Sequence, residues 1–259
     1  MSKKAILVVS FGTTVEDTRK KTIDAIEDDI KKAFPDYAIY SAWTSRKIAA
    51  KTGHPLIKDA MKDILADGVT DLFIQPTHIM KAIEYNTIVD DVEEFRDKFD
   101  SLKVGKALIY SRTDIDRMAR FLNTTYRNDV GIKDNEILLF MGHGTDHVQN
   151  KIYTDIAHQL AVNDYKCDDI FIGTVEGKPD FDDIVKVIDG NVPDDTTFIL
   201  APLMIVAGVH AHDDLMGDEA DSWKSVLESK GYKVRGNMKG LGEYPEVRNR
   251  FVELVKENI

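Results

Sequence analysis

The chain has 259 residues, and its 45 acidic against 34 basic side chains leave a net charge of −11, which excludes binding to nucleic acid through bulk positive charge. With 43% hydrophobic and 31% charged residues, the composition is that of a globular protein with a large core, neither disordered nor collagen-like. A single cysteine, Cys167, rules out an internal disulfide, a CxxC redox pair and a four-cysteine zinc or iron–sulfur site, so any metal must rest on histidines and carboxylates.

A start made basic by Lys3 and Lys4 leads into a short apolar run, Ala5–Val9, with no small-residue cleavage site after it, so no signal peptide is expected. No stretch approaches the roughly 20 apolar residues of a membrane helix. The longest, from Phe198 to Val209, is broken by Pro202 and Gly208, and a cytoplasmic location is expected. Along the chain, short apolar runs alternate with segments of helical period, the pattern of βαβ units and a parallel sheet. Strands are predicted over Ala5–Ser10, Ala38–Trp43, Leu72–Thr77, Val104–Ile109, Ile137–Met141, Ile170–Val175, Phe198–Met204 and Lys233–Asn237. The segments between them carry amphipathic spacing, as in Ile23, Ile26, Ile30 and Phe34, then Ile88, Val92, Phe95 and Phe99, and finally Val247, Phe251 and Leu254. Acidic runs such as Glu27-Asp28-Asp29 and Asp90-Asp91 read as solvated helix faces.

An internal repeat organises these elements. Ile6-Leu7-Val8-Val9-Ser10-Phe11-Gly12-Thr13 aligns with Leu138-Leu139-Phe140-Met141-Gly142-His143-Gly144-Thr145, each an apolar strand entering a Gly-Thr turn. Phe73-Ile74-Gln75-Pro76-Thr77 aligns with Ile199-Leu200-Ala201-Pro202-Leu203, and the same register sets Glu84 opposite His210. The reading is therefore an α/β protein of two similar lobes, 1–128 and 129–259, each a central parallel sheet flanked by helices. The last helix, Pro245–Asn258, packs back on the first lobe or serves a partner, and a homo-oligomer is left open. Ligands of open parallel sheets bind beyond the carboxyl ends of the strands, so the lobes are expected to share a cleft lined by those ends.

Three ligand-type residues follow strand ends in the second half: His143, Glu176 and His210. Two imidazoles and a carboxylate suit Co²⁺, Fe²⁺, Ni²⁺ or Zn²⁺ and leave open positions, although each histidine alone is more often a hydrogen-bonded loop or core residue. The His143/His147 spacing fails as a metalloprotease motif, because Gly144 stands where the glutamate base belongs. His147 and His212 read as supporting or surface groups, His54 and His158 as structural or solvent-facing, and His78 ends a strand facing the expected cleft. No GxGxxG or GxxxxGK[ST] is present, so no nucleotide is expected. Gly142-His143-Gly144 lacks the serine of a nucleophile elbow. Ser10 reads as a hydroxyl at a helix start, where N–H groups of Ser10–Thr14 suit a carboxylate, and those of Gly142–Thr145 do likewise.

Together, Val8-Val9-Ser10-Phe11-Gly12-Thr13, Thr77-His78-Ile79 with Glu84-Tyr85, Phe140-Met141-Gly142-His143-Gly144, Gly173-Thr174-Val175-Glu176, Pro202–Ala211, Asp221-Ser222-Trp223-Lys224 and Gly240-Leu241-Gly242-Glu243 resemble the anaerobic sirohydrochlorin cobaltochelatases, class II tetrapyrrole chelatases of cobalamin biosynthesis. The resemblance runs from end to end in the same order. It implies a bilobal chelatase fold, with His143, Glu176 and His210 as metal ligands, and His143 and Glu84 as the catalytic residues. The tetrapyrrole, sirohydrochlorin on this resemblance, is expected near the strand-end residues Ser10, Phe11, Gly12, Thr13, His78 and Gly144. Co²⁺ is then a substrate, with Fe²⁺, Ni²⁺ or Zn²⁺ as in vitro alternatives, and no nucleotide or iron–sulfur cluster takes part. Insertion strips water from the ion and removes two pyrrole protons, so the site must hold the metal loosely and supply a proton acceptor. Ferrous insertion is the nearest rival, a tetrapyrrole or metal carrier without turnover a rival of another class, and a hydrolase using metal-bound water a third.

Overall fold

The computed structural model describes residues 3–162 and 169–259; Cys167 lies outside the described residues. In chain order the elements are β1 (Lys4–Ser10), α1 (Glu16–Lys21), α2 (Ile23–Ala33), β2 (Ala38–Trp43), α3 (Arg46–Thr52), α4 (Ile57–Ala66), β3 (Asp71–Pro76), α5 (Ile83–Glu93) and β4 (Ser101–Val104). They continue with α6 (Arg112–Phe121), α7 (Arg127–Val130), β5 (Glu136–Gly142), α8 (Lys151–Ala161), β6 (Ile170–Thr174), α9 (Phe181–Ile188), β7 (Thr197–Pro202), α10 (Trp223–Ser229), β8 (Lys233–Gly236) and α11 (Pro245–Lys256). The strands form two four-stranded sheets, ordered β2-β1-β3-β4 and β6-β5-β7-β8, and every pairing is parallel. The two orders are the same once β1 is matched with β5, which is the internal repeat expressed as topology. The inner strands β1 and β5 carry continuous apolar runs because helices cover both faces of a parallel sheet.

The chain divides into two compact units, 1–110 with 241–259, and 111–240. This division differs from a single boundary at 128/129, and the reasons are local. Ser111 and Asp114 form a reciprocal capping box that starts α6, α6 packs against α8, and Arg127 pairs with Asp169 through two bonds of 2.8 and 2.6 Å. Residues 111–128 are thus built into the second unit. The final segment is built into the first: α11 packs on α2, burying Val247, Phe251, Leu254 and Val255, and Arg248 Nε bonds Asp29 Oδ2 at 2.7 Å. One strand also moves from its expected place, Val104–Ile109, to Ser101–Val104. Beyond it Gly105 passes so close to β3 that a Cβ there would stand 2.7 Å from the Phe73 ring, and Ile109 keeps only a single bridge to Met80.

A polar chain sits between α2 and the edge strand β2. The Ser41 hydroxyl is 2.5 Å from Glu27 Oε1 and 3.0 Å from His54 Nε2, and His54 stacks on the buried Trp43 at 4.0 Å. Burial raises the Glu27 carboxyl from 4.5 to about 7, helped by Asp24 and Asp28 and opposed by the Ser41 bond and Arg19. The folded carboxyl therefore keeps its proton where the unfolded chain has lost it, so this group favours folding least above pH 7 and its cost grows as pH rises from about 4.5 to 7. Glu27→Gln, uncharged at every pH, should raise stability over wild type by about 2–3 kcal/mol at pH 8 and by little at pH 5 in urea unfolding. An equal difference at both pH values would contradict the assignment.

Candidate active site

Residue His143 follows β5 directly, and its backbone continues the ladder with the chain beyond β6. The Val175 N–H donates to Gly142 O (3.0 Å) and the Glu176 N–H to His143 O (2.7 Å), which places the two side chains at adjacent strand ends. This approach needs Gly144, whose φ is +82° and whose hypothetical Cβ would stand 2.5 Å from Glu176 O and 2.8 Å from the Thr174 Cβ. Asn150 ties the two loops together: its Oδ1 accepts from the Thr145 N–H (3.0 Å) and its Nδ2 donates to Lys178 O (2.7 Å). At the outcome of this packing His143 Nδ1 lies 3.1 Å from Gly144 O and 3.9 Å from Glu176 Oε2.

The third residue arrives from β7. The Leu203 N–H donates to Met141 O (2.7 Å), the chain runs on to Val209, and His210 leads into a π-helical turn, Ala211–Leu215. The His210 ring meets that of His143 edge to face, with centroids 5.0 Å apart, and its Nδ1 lies 2.5 Å from Asp214 Oδ2. His143 thus touches both Glu176 and His210. Among the described residues, however, no three His, Cys, Asp or Glu side chains converge tightly enough to hold an ion. The Glu176 side chain, 61% exposed, lies on the Nδ1 side of His143 and would have to swing to join a common ion. Val148 and Val209, exposed beside these strand-end loops, add apolar surface suited to a flat hydrophobic ligand.

The family profile of cobalt chelatase (CbiK) matches residues 4–259. The chain belongs to the cobalt chelatase (CbiK) family. It is 34% identical over 259 residues to the sirohydrochlorin cobaltochelatase of Salmonella typhimurium, covering 96% of this chain and 94% of that protein. It is 31% identical over 252 residues to the sirohydrochlorin cobaltochelatase CbiKC of Nitratidesulfovibrio vulgaris, covering 94% and 86%. Its fold is similar to that of the sirohydrochlorin chelatase SirB from Bacillus subtilis subspecies spizizenii in complex with cobalt, with a TM-score of 0.65 at 15% identity over 98% of this chain and 94% of that one.

Within this CbiK-family chain, the residues expected to hold the ring divide by what their polar atoms already do. Ser10 is buried, and its hydroxyl bonds the Thr77 hydroxyl at 2.8 Å. Thr13 is buried and accepts from the Val15 N–H (3.1 Å), and α1 starts only at Glu16. Neither hydroxyl is presented at a helix start: that of Ser10 meets Thr77 beyond β3, and that of Thr13 turns back on its own loop. The same holds for Gly144 and Thr145, whose N–H groups donate to Tyr153 Oη (3.4 Å) and Asn150 Oδ1. Gly12 is buried against Trp43, whose ring would stand 2.7 Å from a Cβ there, whereas Phe11 is exposed.

His78 is only half-buried as a residue, yet both ring nitrogens are shut off from solvent and have no hydrogen-bond partner among the described residues. Burial holds its imidazole down at about 4, so it is neutral at pH 7. A buried ring with two unpaired nitrogens is costly unless something completes it, which suits a residue that pairs with a ligand. Glu84 stands half-exposed in the first turn of α5. His147 is turned to structural use, its Nδ1 accepting from the Gln149 N–H (3.2 Å), while His158 and His212 are exposed. Sequence reasoning missed Asn150, which shows no pattern of its own, and Asp214, whose four-residue spacing from His210 was visible.

If Gly144 sets the His143–Glu176 approach, Gly144→Ala should cost about 1–3 kcal/mol more than Gly131→Ala. Gly131 also has a left-handed φ, +59°, but open space where its Cβ would go, so equal losses in urea unfolding would show that the close contact carries no weight.

Proposed function

We propose that this chain inserts Co²⁺ into sirohydrochlorin, with His143, Glu176 and His210 taking up the ion and Glu84 accepting the pyrrole protons. The observation that carries the reading is the meeting of His143 with Glu176 at 3.9 Å and with His210 at 5.0 Å between ring centroids, in a chain of the cobalt chelatase family. Two imidazoles and one carboxylate bind a first-row divalent ion while leaving positions open for water and then for ring nitrogens. A set not yet closed round the ion, with an exposed carboxylate that can swing, fits a metal that must be delivered and released. Transfer then replaces protein donors by macrocycle nitrogens as the two pyrrole N–H protons leave.

Those protons need an acceptor that the metal does not occupy. Glu84 suits that task, since no ion pair holds its carboxylate among the described residues. His78, neutral and with both nitrogens unpaired, suits a hydrogen bond to the bound ring, and the exposed Phe11 suits contact with its face. A cytoplasmic setting completes the reading; among the described residues no helix is long and apolar enough to cross a membrane. Fe²⁺, Ni²⁺ and Zn²⁺ fit the same donors, so the preference for cobalt rests on the named relatives.

An anaerobic absorbance assay with sirohydrochlorin and Co²⁺, Fe²⁺ or Ni²⁺ tests this directly. Conversion faster than the protein-free blank, fastest with Co²⁺ and lost in His143→Ala, is expected. Glu84→Gln should slow insertion by about 10²–10⁴-fold while the ring still binds. A spectral shift on mixing with no acceleration for any metal would identify a carrier instead.

A further inference from the structure

His210 and Asp214 are brought together by an unusual turn. The Met216 N–H reaches back five residues to Ala211 O (3.3 Å), the wide π-helical pattern that often marks a functional position. In this turn Asp214 Oδ2 comes to 2.5 Å from His210 Nδ1, whereas Asp213, next to it, is exposed. A carboxylate oxygen accepts hydrogen bonds, so this contact favours the tautomer with its proton on Nδ1 and its lone pair on Nε2. His147 illustrates the opposite case: its Nδ1 accepts from the Gln149 N–H, which commits that lone pair to the backbone.

We propose that Asp214 is a positioning residue for metal uptake, fixing the tautomer and ring orientation of His210 so that Nε2 is presented to Co²⁺. The inference rests on His210 being a metal ligand. Carboxylates in this role lock the ligand in its donating form, and their loss weakens metal binding by about 10–100-fold. The same removal of a charge at Asp213 should do far less, because no contact with the ring is lost.

Three measurements on the full chain decide it. Nitrogen-15 NMR of the metal-free protein should show His210 protonated on Nδ1, and in Asp214→Ala a shift toward the Nε2–H form, a change that a merely structural role would not produce. Titration with Co²⁺ alone should give about 10–100-fold weaker binding for Asp214→Ala, near-normal binding for Asp213→Ala, and substantial rescue in Asp214→Asn, whose Oδ1 still accepts from Nδ1–H. In the insertion assay KM for Co²⁺ should rise more than kcat falls. An Nε2–H tautomer in wild type, or equal Co²⁺ affinity in Asp214→Ala and Asp213→Ala, would overturn the proposal. His210→Ala separates the two levels: if it binds Co²⁺ as wild type does, the ligand assignment itself fails, whereas weak binding there with intact binding in Asp214→Ala refutes the positioning role alone.

Discussion

Two backbone hydrogen bonds beyond the ends of β5 and β6, from Val175 to Gly142 and from Glu176 to His143, fix the geometry on which the candidate chemistry depends. They extend a parallel ladder past its strands, so the separation of His143 from Glu176 is set by strand spacing and not by side-chain choice. For the ladder to extend, the turn after His143 must press against the neighbouring chain, and a left-handed residue without a Cβ is the one that can do so. Asn150 then closes the opposite side by joining the two loops through its amide. His143 and Glu176 are thus mounted on hydrogen-bonded backbone, while the Glu176 carboxylate itself is exposed.

The first unit repeats this construction with different side chains. The Thr44 N–H donates to Ser10 O (2.9 Å), the Ser45 N–H to Phe11 O (3.2 Å) and the Thr77 N–H to Val9 O (2.8 Å), which match the bonds made by Val175, Glu176 and Leu203. Gly12, with φ +97°, presses on Trp43 as Gly144 presses on the Glu176 carbonyl. By this correspondence Phe11 takes the place of His143 and Ser45 that of Glu176. One scaffold therefore carries His143 and Glu176 at the strand ends of one unit and the exposed Phe11 at the matching place in the other. Function resides in what is mounted at the strand ends; the fold supplies the mounting.

Much of this was legible in the sequence because the deciding signals were periodic or local. Apolar runs bounded by turns gave the strands, and the repeated Gly-Thr turns gave the matching sheets. β4 lies away from its expected span because its four residues, Ser101–Val104, carry less apolar signal than the run that follows, and the capping box at Ser111 leaves no apolar pattern to mark where the units divide. His143, Glu176 and His210 stand out in the sequence as polar residues just past strand ends, and the structure sets His143 beside each of the other two. What the sequence could not carry was the use of each polar atom. Ser10, Thr13 and the N–H groups of Gly144 and Thr145 are consumed by Thr77, Val15, Tyr153 and Asn150, partners up to 67 residues away in the chain. Nor could it reveal that both nitrogens of His78 are buried without partners, since burial of single atoms is a property of packing.

The account stands on a single ion reaching both imidazoles and the Glu176 carboxylate. Cobalt K-edge X-ray absorption of the anaerobically Co²⁺-loaded protein, without tetrapyrrole, tests this most directly. Two imidazoles with the remaining positions filled by oxygen are expected, falling to one imidazole in His143→Ala and again to one in His210→Ala. An unchanged imidazole count in either variant would place the ion elsewhere and contradict the account.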